Sequence, residues 1–178
     1  IGLFIGTISR ILMMSLDTAG MIISFQSGLG NAQLFNPALA TQGSLFGAFF
    51  SVTAVLVLMA AKLHYLLFYG LVDSYQMFPV GSVPDTGSMA DLAARAVGAS
   101  FEVGVQIAAP FMIVGMVLYI GMGILSRLMP QVQMFMVALP VQIWLSLITI
   151  TIVLSASMLF WAHSFEEGMV YFLKAGGG

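Results

Sequence analysis

Between Asp17 and Lys62 the chain carries no charged residue, yet this stretch does not read as one membrane-crossing helix. Two apolar runs are interrupted by the polar, glycine-punctuated segment Phe25-Gln26-Ser27-Gly28-Leu29-Gly30-Asn31-Ala32-Gln33-Leu34-Phe35-Asn36-Pro37. A loop in free water would recruit Lys, Glu or Asp. This one places Gln, Asn, Ser and Thr between Gly, Phe and Leu. Irregular backbone at membrane depth survives only where protein or a water-filled cavity satisfies its polar groups. The composition therefore predicts a loop buried in an assembly or lining a pore.

The rest of the chain supports that environment. Hydrophobic residues make up 60% of it and charged residues 7%, against about 45–50% and about 25% in soluble domains. Too few charges are present to cover a soluble surface, which makes this a membrane or membrane-assembly protein. The five basic residues, Arg10, Lys62, Arg95, Arg127 and Lys174, are scattered, and the net charge is −2. Nucleic acid is thereby excluded as a partner, because phosphate binding needs clustered Lys and Arg. The absence of cysteine removes disulfides, thiolate metal sites and cysteine nucleophiles together. The apolar run at Ile1-Gly2-Leu3-Phe4-Ile5 lacks the pattern of a signal peptide, and the expectation is that further residues precede it.

Four long apolar segments follow from hydropathy: Ile1 to about Phe25, about Ser44 to Tyr75, about Met89 to Arg127, and about Gln131 to Lys174. Spanning a bilayer takes about 20 apolar residues, so several of them must tilt, bend or extend beyond the bilayer. Gly28, Gly30 and Asn36-Pro37 are expected to end the first helix. Phe78 to Gly87 is rich in turn formers. Ser88 is a candidate N-cap for the third helix, with Asp91 completing an acidic capping box. Met129-Pro130 fits a tight turn with Pro130 in the first turn of the next helix. Pro110 and Pro140 fall inside helical runs, where each removes a donor and should kink its helix. The expected architecture is all-α: long kinked helices forming hairpins, with an irregular plug-like loop. Residues 1–88 form a helix–loop–helix unit and 89–175 a C-terminal kinked hairpin, together one integrated domain.

Ala96, Ser100, Gly104 and Ala108 repeat at four-residue spacing and form a small-residue stripe on the third segment. Such stripes let helix backbones approach closely where lipid gives no hydrophobic driving force. Gly115, Gly121 and Gly123 are further candidate points of close approach. Methionine is over-used: Met13, Met14, Met112, Met116, Met122, Met129, Met134 and Met136 are expected on packing surfaces, as core filling or as a deformable seal.

No catalytic constellation is present. His64 is isolated. Glu166 and Glu167 follow His163 at helical spacing, but near a helix end where solvated polar residues are expected. Gly28-x-Gly30 lacks the third glycine and the preceding strand of a phosphate loop. No cofactor or metal is implied. The ionisable groups inside apolar helices still need an account, because each costs ~2.5–3.5 kcal/mol at a membrane centre. Arg10 and Asp17 share a face, Asp91 and Arg95 are one turn apart, and Glu102 follows on roughly the face of Arg95. They serve a proton or ion relay, or else they pair with neighbouring subunits or lie in helix sections outside the hydrocarbon; the latter reading is preferred. Positive residues are too few to set an orientation.

The segment Gln26 to Pro37 resembles the loop of the FliR family of flagellar and type III export proteins. Leu63-His64, Phe78-Pro79-Val80-Gly81, Ala108-Ala109-Pro110-Phe111 and Leu125-Ser126-Arg127-Leu128-Met129-Pro130-Gln131-Val132-Gln133-Met134-Phe135 resemble other parts of the same family, in the same order across nearly the whole chain. Family members commonly carry Met at the position of Ser27 and Asp at that of Asn36, and have an N-terminal hydrophobic region that has no counterpart here.

The resemblance implies a non-enzymatic subunit of a flagellar export gate that passes unfolded flagellar proteins across the bacterial inner membrane. It implies P- and Q-type gate subunits, the switch subunit FlhB, exported flagellar proteins and membrane lipid as partners. It also implies a place in the basal body, with the core raised toward the periplasm. The family's loop plugs the closed channel. Carried over, that plug comprises Gln26, Gly28, Gly30, Asn31, Gln33, Phe35, Asn36, Pro37 and Gln42, with Phe35 as the occluding side chain. The departures at Ser27 and Asn36 leave the argument resting on glycine flexibility and the bulk of Phe35. Arg10, Asp17, Arg95 and Glu102 would be inter-subunit contacts. The alternatives are a virulence-type export subunit and a broken-helix solute or ion transporter.

Overall fold

A computed structural model describes residues 2–30, 44–77, 86–128 and 134–175. Five helices account for nearly all of them: α1 Gly2–Gln26, α2 Leu45–Ala60, α3 His64–Met77, α4 Thr86–Leu128 and α5 Met134–Ala175. No strand occurs among the described residues. The turn expected at Met129-Pro130 and the connection from Phe78 to Asp85 fall outside them.

The first helix is central. Ile8, Leu12, Leu16, Ala19 and Ile23 recur at three- and four-residue steps and are all buried. That spacing places one continuous stripe against the rest of the molecule. Its most extensive partner is α4, and the small-residue stripe makes the contact. Ala96 and Ala108 are fully enclosed, and the Ser100 hydroxyl donates to the Ile11 carbonyl at 2.7 Å. A Cβ on Gly104 would stand 2.7 Å from the Ser15 carbonyl oxygen. The close approach expected for this stripe is therefore present, and Gly115 extends it, because a Cβ there would meet the Gln26 side chain at 2.5 Å. Gly121 and Gly123 depart from the expectation. A Cβ on either would meet nothing within 4 Å among the described residues.

A second close approach joins α1 to α2. A Cβ on Gly20 would lie 2.2 Å from the Gly47 backbone nitrogen, so only glycine permits this crossing. Across the same pair of helices, Ser51 donates to the Asp17 carboxylate at 3.1 Å. The last helix closes the core from the other side. Trp161 is 1% exposed and packs against Phe165, with 5.4 Å between ring centroids and the ring planes tilted by 39°. Its indole Nε1 donates to the Ser15 hydroxyl at 3.2 Å, and that hydroxyl donates onward to the Leu12 carbonyl. A buried indole N–H left without an acceptor would cost about 1–3 kcal/mol, so Ser15 fixes the register of α1 against α5 at one point.

The second apolar segment is two helices, not one. α2 and α3 meet at a bend of 69°. The break lies at Ala61-Lys62-Leu63, where Lys62 adopts φ 58°. The Lys62 N–H bonds the Met59 carbonyl and the Leu63 N–H reaches back to the Leu58 carbonyl, the paired bonds of a Schellman helix end. Leu58 and Leu63 are both buried, the apolar contact that accompanies this motif. The left-handed conformation costs a lysine about 1–2 kcal/mol relative to right-handed helix. Tertiary burial overrides the local preference here.

Two further expectations are corrected. The third long helix begins at Thr86, so Ser88 lies within its first turn and is not an N-cap. Asp91 pairs with Arg95 at 2.8 Å instead of closing a capping box. Of the methionines expected on packing surfaces, Met13 packs against the core, while Met14, Met112 and Met116 are exposed on the isolated chain; among the described residues Met158 and Met169 are buried. Pro110 and Pro140 lie within α4 and α5, which continue on both sides of them.

Among the described residues, three helices are long and apolar enough to cross a membrane: Gly2–Gln26, Met89–Leu128 and Val137–Tyr171. The bent pair passes the same test taken together. Their outward faces are apolar, with Trp144, Ile152 and Leu159 each more than two-thirds exposed. Several of the groups turned inward are polar: Ser15, Ser24, Ser27, Ser100, Gln142, Ser146 and Thr149. Large exposed apolar faces of this kind need lipid or other subunits to cover them.

Candidate functional site

The polar loop leaves α1 through a glycine and returns through a serine. Gly28 has φ 75°, in the left-handed region that only glycine enters freely. Around it the Ser27 N–H bonds Ile23, the Gly28 N–H bonds Phe25 and the Gly30 N–H reaches back to the Ser24 carbonyl at 2.9 Å. The Ser27 hydroxyl also donates to that carbonyl and accepts weakly from the Leu29 N–H at 3.4 Å. The exposed carbonyls of the helix end are thus satisfied locally.

At the other end Ser44 caps α2. Its backbone is extended and its hydroxyl accepts from the Gly47 N–H at 3.0 Å. The same hydroxyl shares a buried 2.8 Å hydrogen bond with Ser24. One serine pair therefore fastens both ends of the loop together. Substituting either serine with alanine would leave the other hydroxyl buried without this partner, at about 1–3 kcal/mol.

The root rests on the long hairpin. A Cβ on Gly28 would stand 2.7 Å from Gln142 Oε1 and 3.0 Å from the Leu139 side chain. The Gln26 side chain lies over Gly115 of α4. Gln142 heads a buried polar stripe on α5, followed by Ser146 and Thr149 at four- and three-residue steps. None of the side chains named at this root titrates near neutral pH. What the root offers is hydroxyls, carboxamides and bare backbone against an apolar wall, suited to holding irregular chain in place without charge.

Of the residues expected in the plug, Gln26, Gly28 and Gly30 are placed here. Asn31, Gln33, Phe35, Asn36, Pro37 and Gln42 lie outside the described residues. Ser24, Ser44, Gly115 and Gln142 were not singled out as loop partners from sequence. The signal for Gln142 was available in the helical spacing of polar residues through Ser146 and Thr149; that for the serine pair was not.

The ionisable groups are distributed around the outside. Arg10 and Asp17 are both exposed on one face of α1, and Asp17 already accepts from Ser51. Arg95 and Asp91 form an exposed i,i+4 pair, and Glu102 accepts from Gln106 at 3.2 Å. His163 lies 3.2 Å from Glu167 on an exposed helix face. No group of three potential metal ligands occurs among the described residues.

The family model for bacterial export proteins, family 1, matches residues 1–168. The chain belongs to this family. Among curated members, it is 36% identical over 167 residues to the flagellar biosynthetic protein FliR of Caulobacter vibrioides, covering 94% of this chain and 66% of the relative. It is 31% identical over 166 residues to FliR of Aquifex aeolicus, with coverages of 93% and 64%. A match to the Yop proteins translocation protein T of Yersinia pestis has 28% identity over 144 residues, covering 80% of this chain and 55% of that protein. The chain thus spans about two-thirds or less of the length of these relatives.

Proposed function

We propose that this chain forms part of a flagellar-type protein export gate in the bacterial inner membrane, lining or closing the passage taken by unfolded flagellar proteins. The observation that carries the reading is the uncharged loop root: two hydrogen-bonded serines, a left-handed glycine and a buried glutamine inside an otherwise apolar chain of the export family. A pore closure has to satisfy its own backbone yet release it. Glycines and neutral hydrogen bonds allow both, whereas a buried ion pair would lock the segment in place.

In this reading the segment from Gln26 to Gln42 is the plug, with Phe35 as its occluding side chain. The exposed Arg10, Asp17, Arg95 and Glu102 meet polar groups of P- and Q-type gate subunits, and FlhB and lipid cover further apolar surface. Bends at Pro110 and Pro140 fit the hairpin to a gate raised toward the periplasmic face of the basal body. The similarity to translocation protein T supports a virulence-type export gate as the second reading.

Deleting residues 33–41 in the assembled gate tests the plug. The expected result is a membrane leaky to small solutes. Unchanged permeability in a gate of normal composition sinks the plug role. Co-purification with P- and Q-type subunits tests the gate assignment separately.

A further inference from the structure

We propose that the α2–α3 element has two states, the bent pair described above and a single continuous helix, with Lys62 as the hinge. Two features at the bend oppose the bent state. The break falls on Ala61-Lys62-Leu63, three strong helix formers, and neither Gly nor Pro occurs from Ala48 to Tyr69. Lys62 nevertheless holds φ 58°, the one non-glycine residue among those described with positive φ. Two residues further on, His64 Nδ1 is enclosed without a hydrogen-bond partner among the described residues. Backbone strain and an orphaned polar atom within one turn mark a segment held against its local preference.

What holds the bend is identifiable. The N–H groups of Lys62, Leu63, Tyr65 and Leu66 bond to Met59, Leu58, Lys62 and Leu63. In a continuous helix each would take the carbonyl four residues back, so these donors change acceptors without losing them. The bent state gains the burial of Leu58 and Leu63 in the common core. Leu66 and Leu67 pack partly against the same core, while Tyr65, Phe68, Tyr69 and Val72 are exposed. Straightening would release Lys62 into right-handed helix, move His64 out of its enclosure and swing α3 away from α1 and α5. A neighbour that covers the aromatic face of α3 better in one form shifts the balance toward that form. The inference concerns this chain's own backbone and stands apart from the export reading.

The chain has no cysteine, so a spin-label pair can be placed by Ala48→Cys and Val72→Cys, both at exposed positions. Pulsed dipolar spectroscopy is then run on the protein in its membrane assembly. A straight helix separates these backbone positions by about 36 Å, and the 69° bend shortens this to about 30 Å. The expected result is a main distance near the shorter value with a longer component. Lys62→Gly, which fits the left-handed position, removes the longer component. Lys62→Ile, which does not, and Leu63→Gln, which loses the buried anchor, enlarge it. Retention of the shorter distance alone in both Lys62→Ile and Leu63→Gln, or a broad distribution without the longer distance, overturns the proposal.

Discussion

The two ends of the long α4–α5 hairpin are built from similarly apolar sequence yet pack in opposite ways. At one end Ala96, Ser100, Gly104 and Ala108 press against α1, Trp161 fills the space beside them, and hydroxyls join the backbones. At the other end Val117, Leu118, Gly121 and Leu125 face Val137, Val141 and Leu145 across an apolar cavity of about 430 Å³. Gly104 is crowded by a neighbouring backbone; Gly121 is not. The difference shows that hydrophobicity does not choose helix partners in this protein. Small side chains and short hydrogen bonds do, as expected where lipid is as apolar as leucine.

The contrast can be broken most severely at the packed end. Trp161→Ala empties the largest buried side chain and removes the donor to Ser15; a loss of about 3–5 kcal/mol is expected. Its measure is resistance to a denaturing detergent, followed by circular dichroism. Gly20→Leu and Gly104→Leu drive side-chain atoms into opposing backbone, and each should lose about 3 kcal/mol. A wild-type midpoint for either would mean that the helices are not this close. Ser15→Ala leaves the Trp161 indole without its acceptor and should lose about 1–2 kcal/mol. The smallest effect has the opposite sign. Gly121→Ala enters open space on a helix and should stabilise the isolated chain by about 0.5–1 kcal/mol. Destabilisation of the assembled complex by that same change would show that a partner packs closely on Gly121.

Much of the fold was legible in the sequence because membrane helices announce themselves by length and polarity. The first helix ends at Gln26 beside Gly28, as the glycine predicted, and the small-residue stripe lies in a helix contact, as its spacing predicted. The site was legible in part. Its uncharged chemistry and glycine hinges could be read from residues 26–30, but not the serine pair that fastens its ends. Ser24 and Ser44 are twenty residues apart, and no local rule joins them. The capping role of Ser88 failed because the helix starts two residues earlier, and a sequence rule for boundaries carries that margin. The sequence left open which surface Met14, Met112 and Met116 meet, because thioethers suit lipid, core and subunit interface equally.

By itself, then, the sequence determined that this chain is helical, apolar on its outside and interrupted by an uncharged, glycine-punctuated segment. Those properties follow from composition and periodicity, which act residue by residue. The tertiary structure decided which glycines are crowded, which serines meet, and that Ala61-Lys62-Leu63 breaks a helix its own residues would continue. The break depends on the burial of Leu58 and Leu63 against the rest of the molecule. Such long-range contacts outweigh local preferences of about 1–2 kcal/mol and leave no mark in the segment they bend.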